Sequence, residues 1–288
     1  MAPKIVITNP DKIFFPKDKI TKLEVIEYYK KIAPLMLKYT KNRALTMLRY
    51  PHGINEEGFY QKNAPDYFPS WIKRFETKRK EDKEPVHYVV ANNVDTLVYI
   101  ANFGCLIPHL WLSKIDKPNY PDKMIFDLDP ENDKSFKKIK ETAKKFKKII
   151  EEHGLVPFVM STGSRGLHVV VPIKRTKTFE EVKKFAQYLA QELIKKDPDN
   201  LTLEVRKAKR GKRIFIDTLR NGYGATAVAP YSIRAKPGAP VAFPLEWDEL
   251  NDAKLTPTKY NIFTIFKRLD KVGDIWANIN KSAKTIKF

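Results

Sequence analysis

Short alternating apolar runs and longer stripes of helical spacing interleave along this chain. Residues 4–8 read as extended, Asn9-Pro10-Asp11-Lys12 as a turn, and a second extended piece ends at Pro16. Thr21 and Glu24 have capping-box spacing, so a helix follows; Leu23, Ile26 and Tyr29 begin its apolar face, and Pro34 kinks or restarts it near its end. Ala44 to Tyr50 reads as a strand, Pro51-His52-Gly53 breaks it, and Gly58 to Lys62 is its hairpin return. Glu76 to Glu84 is a charged run without apolar period, which predicts a loop or a ragged helix end.

The run Met124-Ile125-Phe126-Asp127-Leu128-Asp129-Pro130 is a strand stopped by proline. A helix over about 133–153 follows, with Phe136, Ile139, Ala143, Phe146 and Ile150 on one stripe and Gly154 as its stop; its many lysines read as a solvated face. Strands at Val156 to Met160 and Leu167 to Ile173 flank a Ser-Thr-Gly-Ser-Arg-Gly turn. Thr178 with Glu181 caps another helix, ended by Asp197-Pro198. A basic run, Arg206 to Arg213, feeds the strand Ile214 to Asp217; a Gly- and Pro-rich stretch reaches Pro244, and the remainder reads as helical. With no internal repeat and no separating linker, the pattern predicts a single α+β domain whose mixed or mainly antiparallel central sheet is flanked by helices.

Charge narrows the partners. Of 288 residues, 54 are Lys or Arg and 34 are Asp or Glu, a formal charge of +20, which favours a polyanion over the competing readings of a membrane surface or simple solubility. No apolar stretch approaches the ~20 residues of a membrane span. The first residues lack the apolar core of a signal peptide, and the lone Cys105 sits in an apolar run as a packing residue, so the expected location is the cytoplasm.

Asp127 and Asp129 share one face of their strand, and two like charges so placed repel unless a cation lies between them. Hard oxygen ligands suit Mg²⁺ or Mn²⁺. An Asp-x-Asp by itself is more often a solvated strand end. Asp217 ends another strand, so a fold that joins the two strand ends would supply three carboxylates. The turn Ser161-Thr162-Gly163-Ser164-Arg165-Gly166-Leu167-His168 offers hydroxyls, a guanidinium, exposed backbone N–H groups and an imidazole, which suit phosphates. It lacks Walker spacing, and an ordinary hairpin with a core histidine explains it equally well.

Three segments, Phe126-Asp127-Leu128-Asp129-Pro130, Ser161 to His168 and Ile216-Asp217-Thr218-Leu219-Arg220-Asn221, resemble in order and spacing the three motifs of the archaeo-eukaryotic primase superfamily. The closest likeness is to the polymerase domain of bacterial ligase D. The runs Gly224 to Pro240 and Asn9 to Pro16 resemble that branch as well.

The resemblance implies a primase-polymerase-like fold over 1–288, with about 1–70 contacting a DNA 5′-phosphate, a catalytic core at about 86–245 and a helical segment at about 246–288. It implies that Asp127, Asp129 and Asp217 are catalytic and hold two divalent ions, Mn²⁺ or Mg²⁺. Thr162, Ser164, Arg165 and His168, with Arg210, Arg220 and Arg234, would bind the nucleotide. Asn9, Lys12 and Lys22 would grip the 5′-phosphate, Phe59 would stack on a base and Arg49 would touch the template. His109 and Lys236 would lie close by. Thr162, Arg165 and Lys236 stand where the family often has Ser, Lys and Arg. His52, His87 and His153 show no constellation and read as structural or exposed.

The implied activity is a DNA-dependent nucleotidyltransferase that fills gaps and extends broken ends in non-homologous end joining, preferring NTPs over dNTPs. Gapped or broken DNA bearing a 5′-phosphate is the implied partner, with a Ku-like protein and a separate ligase, at the nucleoid. No Lys-x-Asp-Gly adenylation motif occurs, so ligation is expected on another polypeptide. Two other readings compete. A haloacid-dehalogenase-type phosphatase would use Asp127 and Asp129, although Pro130-Glu131-Asn132 fits it poorly, and a non-catalytic DNA-end scaffold would use only the charge.

Overall fold

In a computed structural model, which describes residues 5–78, 84–130 and 136–287, the chain begins with two short paired strands, β1 (Ile13–Phe15) and β2 (Ile20–Thr21). Residues 5–8, read as extended, join no strand. The capping box then starts α1 (Lys22–Thr40): the Glu24 N–H donates to Thr21 Oγ1 at 3.2 Å, and the Thr21 N–H to Glu24 Oε2 at 2.8 Å. Pro34 does not end this helix. Val25, Ile26, Tyr29, Ile32, Ala33 and Met36 are all buried along it, and that face holds the helix across the missing N–H, while Leu23 lies exposed at its edge.

The described residues divide into two compact units, each built from three separate stretches of chain: 1–111, 228–242 and 260–271 in the first, and 112–227, 243–259 and 272–288 in the second. The first unit contains β3 (Leu45–Arg49), β4 (Phe59–Gln61), β5 (Arg74–Thr77), β6 (Val86–Val89), α2 (Val94–Asn102) and β7 (Cys105–Trp111). β3 lies between β7 on one edge and β4 with β6 on the other, and β5 extends the sheet beyond β6. The expected hairpin return is present, with Met47 opposite Gln61 and Arg49 opposite Phe59. The charged run instead begins inside β5, because Phe75 packs against a cluster of Ala44, Tyr88 and Trp111 and outweighs its polar neighbours. Residues 79–83 of that run lie outside the described set. Cys105 is buried, and burial pushes its thiol up to about 12, as a packing residue requires.

The second unit contains β8 (Lys123–Asp129), α3 (Phe136–Glu152), β9 (Phe158–Ser161), β10 (Leu167–Pro172), α4 (Phe179–Lys196), β11 (Leu201–Thr202) and β12 (Ile214–Asp217). β13 (Thr226–Val228) falls where the chain passes from one unit to the other, and β14 (Phe243–Leu245) returns to the second sheet. The order is β11-β12-β8-β10-β9-β14, antiparallel except for β11 with β12, so the sheet is mixed as expected. The predicted start of α3 before residue 136 lies outside the described residues.

Strand alternation decides what each face of β8 does. Phe126 and Leu128 turn toward the helices, where Phe126 meets Phe146 of α3 edge-on at 4.5 Å; burying each such ring stabilises the layer by roughly 2–3 kcal/mol. Asp127 and Asp129 therefore occupy the face away from α3 and α4. Not every lysine of α3 is solvated: Lys140 is buried and donates to the Asp252 carbonyl, whereas Lys145, paired with Asp197 at 2.9 Å, stays exposed.

β12 stops at Asp217, so nothing in the strand ladder can pair with Ile125 on that edge of β8. The fully buried Asn221 takes the place of a strand. Its Nδ2 donates to Ile125 O at 2.7 Å, and its Oδ1 accepts from the Ile125 N–H at 2.9 Å. Asn221→Leu leaves a buried N–H and carbonyl unpaired and should destabilise the second unit by about 3 kcal/mol, read as a lowered thermal midpoint. An unchanged midpoint would mean that Asn221 does not hold β8 in register.

Candidate active site

Register builds the carboxylate face. Asp217 of β12 stands directly opposite Asp127 of β8, and His168 of β10 stands opposite Asp127 on the other side. Residues directly opposite on adjacent strands project the same way, so His168, Asp127 and Asp217 form a row across three strands, with Asp129 two residues along. The fold thus brings together the three aspartates and the histidine that were picked out along the sequence.

Cations surround these carboxylates. Arg220 lies between Asp217 (Nε to Oδ2, 3.4 Å) and Asp127 (Nη2 to Oδ2, 3.8 Å). Asp129 faces Arg165 at 3.3 Å and Arg210 at 3.5 Å, and His168 Nε2 is 3.5 Å from Asp127 Oδ2. Even so, burial and then the Asp127 charge push the Asp129 carboxyl above its usual range. Burial also raises the Asp217 carboxyl, against the Leu219 N–H that Asp217 Oδ1 accepts at 2.7 Å. For Asp129 and Asp217 the guanidiniums do not offset the cost of burying the carboxylate.

Among the described residues no group of three His, Cys, Asp or Glu side chains already stands in a metal-binding arrangement. The donor set nonetheless suits a hard divalent cation: Asp127, Asp129 and Asp217 supply oxygens only, on one face, desolvated and mutually repelling.

The β9–β10 hairpin frames one side of this face. Thr162 spends its hydroxyl inside the turn, donating to Gly166 O at 3.1 Å and accepting from the Gly166 N–H at 3.3 Å. Ser161 Oγ accepts from the Gly163 N–H at 3.2 Å and donates to Pro257 O at 2.7 Å. The turn is thus braced by Thr162 and Ser161. It carries Ser164 at its tip and leaves the Arg165 side chain 39% exposed while still within reach of Asp129. Gly166 passes so close to β8 that a Cβ there would lie 2.1 Å from the Leu128 carbonyl oxygen.

Arg210 holds the other side. Its guanidinium stacks 3.8 Å over Phe215, donates to the Glu204 and Val205 carbonyls at 2.8 and 2.7 Å, and leaves Nη1 toward Asp129. A hollow of about 490 Å³ opens there, lined by Asp129, Pro130, Lys207, Arg210 and Arg213 with Ala208 and Gly211. Lys207 and Asn221, quoted in the basic run and in the third motif, are the participants to which the sequence assigned no role. The density of cations in Arg206 to Arg213 was the available signal for the first, and the polar Asn221 directly after Arg220 for the second.

The remaining candidates lie in the first unit. Lys22 is buried and donates to Thr8 O at 2.5 Å and Thr8 Oγ1 at 3.0 Å, while Lys12 Nζ lies 3.1 Å from His52 Nδ1. Asn9 turns the chain just ahead of them, with φ +48°. Arg49 stacks 3.5 Å over Phe103 and lies 5.2 Å from the ring of Phe59, which is about half exposed. His109 is buried with its ring edge-on to Tyr60. Arg234 and Lys236 sit in a loop closed by the Arg234 N–H to Pro240 O at 2.7 Å.

A row of carboxylates flanked by a basic hairpin and an arginine-rich loop is equipped to hold phosphates and divalent cations together. The chain belongs to the family described as the LigD primase-polymerase domain, whose model matches residues 21–276. It is 32% identical over 272 residues to the bifunctional non-homologous end joining protein LigD of Bacillus subtilis and 29% identical over 282 residues to the multifunctional LigD of Mycolicibacterium smegmatis. These alignments cover 94% and 97% of this chain but only 43% and 36% of those proteins. Among solved structures, the polymerase domain of Mycobacterium tuberculosis ligase D in complex with DNA superposes with a TM-score of 0.89 at 26% identity, covering 97% of this chain and 99% of that one. The family is one of nucleotidyltransferases, and the phosphatase reading of Asp127 and Asp129 falls with that membership. Among the described residues no helix is long and apolar enough to cross a membrane.

Proposed function

We propose that this chain adds nucleotides to a primer strand at gaps and breaks during end joining. The observation that carries the reading is the register that sets Asp217 beside Asp127, with His168 on the opposite edge. The primer 3′-hydroxyl attacks the α-phosphate of a nucleoside triphosphate, an O–P bond forms, pyrophosphate leaves and the hydroxyl proton passes to solvent. Two divalent ions, Mn²⁺ or Mg²⁺, bound by Asp127, Asp129 and Asp217, would lower the pKa of that hydroxyl and neutralise the departing charge. Arg165 and Arg220 pair with aspartates in the structure and turn to the triphosphate once those carboxylates have other partners. His168 donates from the floor of the site. Arg210, held by its stacking and two carbonyls, keeps Asp129 in place.

Asn9, Lys12 and Lys22 bind the 5′-phosphate of the downstream strand, Phe59 stacks on a nearby base without regard to sequence, and Arg49 touches the template. NTPs are preferred over dNTPs. A Ku-like end-binder and a separate ligase act on the same DNA, at the nucleoid, and the formal charge of +20 suits such a substrate.

Single-nucleotide extension of a gapped duplex, with and without the downstream 5′-phosphate, with NTP or dNTP and with Mg²⁺ or Mn²⁺, tests the whole reading. The 5′-phosphate should tighten binding by about tenfold, the scale of one to two charge-assisted contacts. Indifference to it would remove Lys12 and Lys22 from end recognition and point to a primase. Failure to extend at all would leave the scaffold reading.

A further inference from the structure

We infer that His52 is a positioning residue for the 5′-phosphate contact, holding the Lys12 ammonium beside Lys22 where a terminal phosphate binds. The inference rests on the proposed role of the two lysines and adds a residue that the sequence left without a partner.

A lysine ammonium has protons and no lone pair, so in the 3.1 Å contact Lys12 Nζ must donate and His52 Nδ1 must accept. The imidazole is then neutral, with its own proton on Nε2. One proton of the ammonium is committed to His52 and two remain for an anion.

Both ends of this bridge are anchored by backbone. The Lys12 N–H donates to Asn9 O at 3.2 Å, and the Lys12 carbonyl accepts the Lys22 N–H at 2.8 Å. On the other side the Gly53 N–H donates to Tyr50 O at 3.1 Å and the Ile54 N–H to Phe14 O at 2.9 Å. Gly53, at φ +87°, lies so close to β1 that a Cβ would stand 3.0 Å from the Ile13 and Phe14 carbonyl oxygens. The turn that carries His52 is therefore seated on the strand that directly follows Lys12.

Electrostatics shows why a holder is needed. Lys22 is buried, and the partners of its ammonium are the neutral Thr8 carbonyl and hydroxyl. Burial, and next the charge of Lys12, hold Lys22 below the ordinary lysine range. Repulsion favours a Lys12 side chain swung out into water, with its several rotamers regained. The bond to His52 Nδ1 opposes that, so the two cations stay close before any anion arrives. A dianionic terminal phosphate meets a preorganised pair and relieves the repulsion, whereas an internal diester offers half the charge.

The experiment measures the affinity of the full chain for a gapped duplex carrying a downstream 5′-phosphate, divided by its affinity for the same duplex ending in a 5′-hydroxyl. His52→Ala should lower this ratio about threefold to tenfold, and His52→Gln, whose amide oxygen can accept from Lys12, should restore much of it. A histidine that only supports the turn would weaken both duplexes alike and leave the ratio intact, which overturns the inference. A wild-type ratio of one overturns the end-recognition reading itself and this inference with it. Should His52→Ala not fold, the ¹⁵N resonances of the wild-type His52 ring decide: they should differ between the complexes with the phosphorylated and the hydroxyl-ended duplex, and identical resonances count against the assignment.

Discussion

Asp217→Asn should lower nucleotide addition by about 10³-fold or more while leaving the metal-free protein as stable as the parent or more stable. The substitution is isosteric, and its Oδ1 still accepts the Leu219 N–H that Asp217 accepts at 2.7 Å. What it removes is one negative charge from the row of Asp127 and Asp217. Burial raises the Asp217 carboxyl above its usual range even though Arg220 lies 3.4 Å away. The sign follows from linkage: a carboxyl raised on folding stabilises the fold at pH below its unfolded value and loses that contribution as pH rises through the folded one. At neutral pH the charged form is therefore unfavourable in the folded protein, and its removal should raise the thermal midpoint of the metal-free protein by roughly 2 °C. Extension assays and thermal unfolding of the same preparation check both halves. Retention of more than about a tenth of the activity would rule Asp217 out as an essential ligand.

Asp129, raised by burial and by Asp127, adds a pH dependence in the same direction. Protons compete with the cation for these carboxylates, so at a fixed sub-saturating metal concentration extension should begin to fail, as pH is lowered, above the ordinary carboxylate range. Raising the metal concentration should shift that failure to lower pH.

Gly166→Ala should cost the second unit at least about 4 kcal/mol, or prevent it from folding. The added Cβ would lie 2.1 Å from the Leu128 carbonyl oxygen, inside any van der Waals contact, and the obstacle is backbone that cannot rotate away. Leu128 is held by Leu167 on one side and Ile216 on the other, so β8 cannot retreat without breaking two strand pairings. The hairpin cannot retreat either, because Thr162 clasps Gly166 from both its N–H and its carbonyl. Any variant that does fold should have the hairpin lifted from β8, taking Arg165 off Asp129. Its affinity for nucleoside triphosphate should then fall together with its thermal midpoint. A variant with an unchanged midpoint would show that the hairpin and β8 do not approach as closely as described.

Much of the local structure was legible. The capping boxes at Thr21 and Thr178, the stripe of α3 and the hairpin at 161–168 all follow from spacing alone, since caps and periodicity act within one element. Strands β5 and β6 were not legible, because a short half-exposed strand is specified by its neighbours: Phe75 and Val86 find their partners in Tyr88 and Trp111. The two-unit division was equally hidden, since each unit is assembled from three distant stretches of chain.

The sequence by itself determined the chemistry available at the site: three oxygen donors at strand ends, a hydroxyl- and cation-bearing turn, and an excess of positive charge. Tertiary structure decided which of these meet. Asp217 joins Asp127 only because β12 pairs with β8 in one register, and a shift of a single residue would send its carboxylate into the helix layer. Tertiary contacts also divided the cations into those that hold the fold and those left to bind. Arg210 became a brace, Lys12 acquired His52 from a turn forty residues away, and Arg165 and Arg220 remained in loose pairs with aspartates. Side-chain type follows from local sequence, whereas distance and desolvation, which set what a charge does, arise only when remote segments pack.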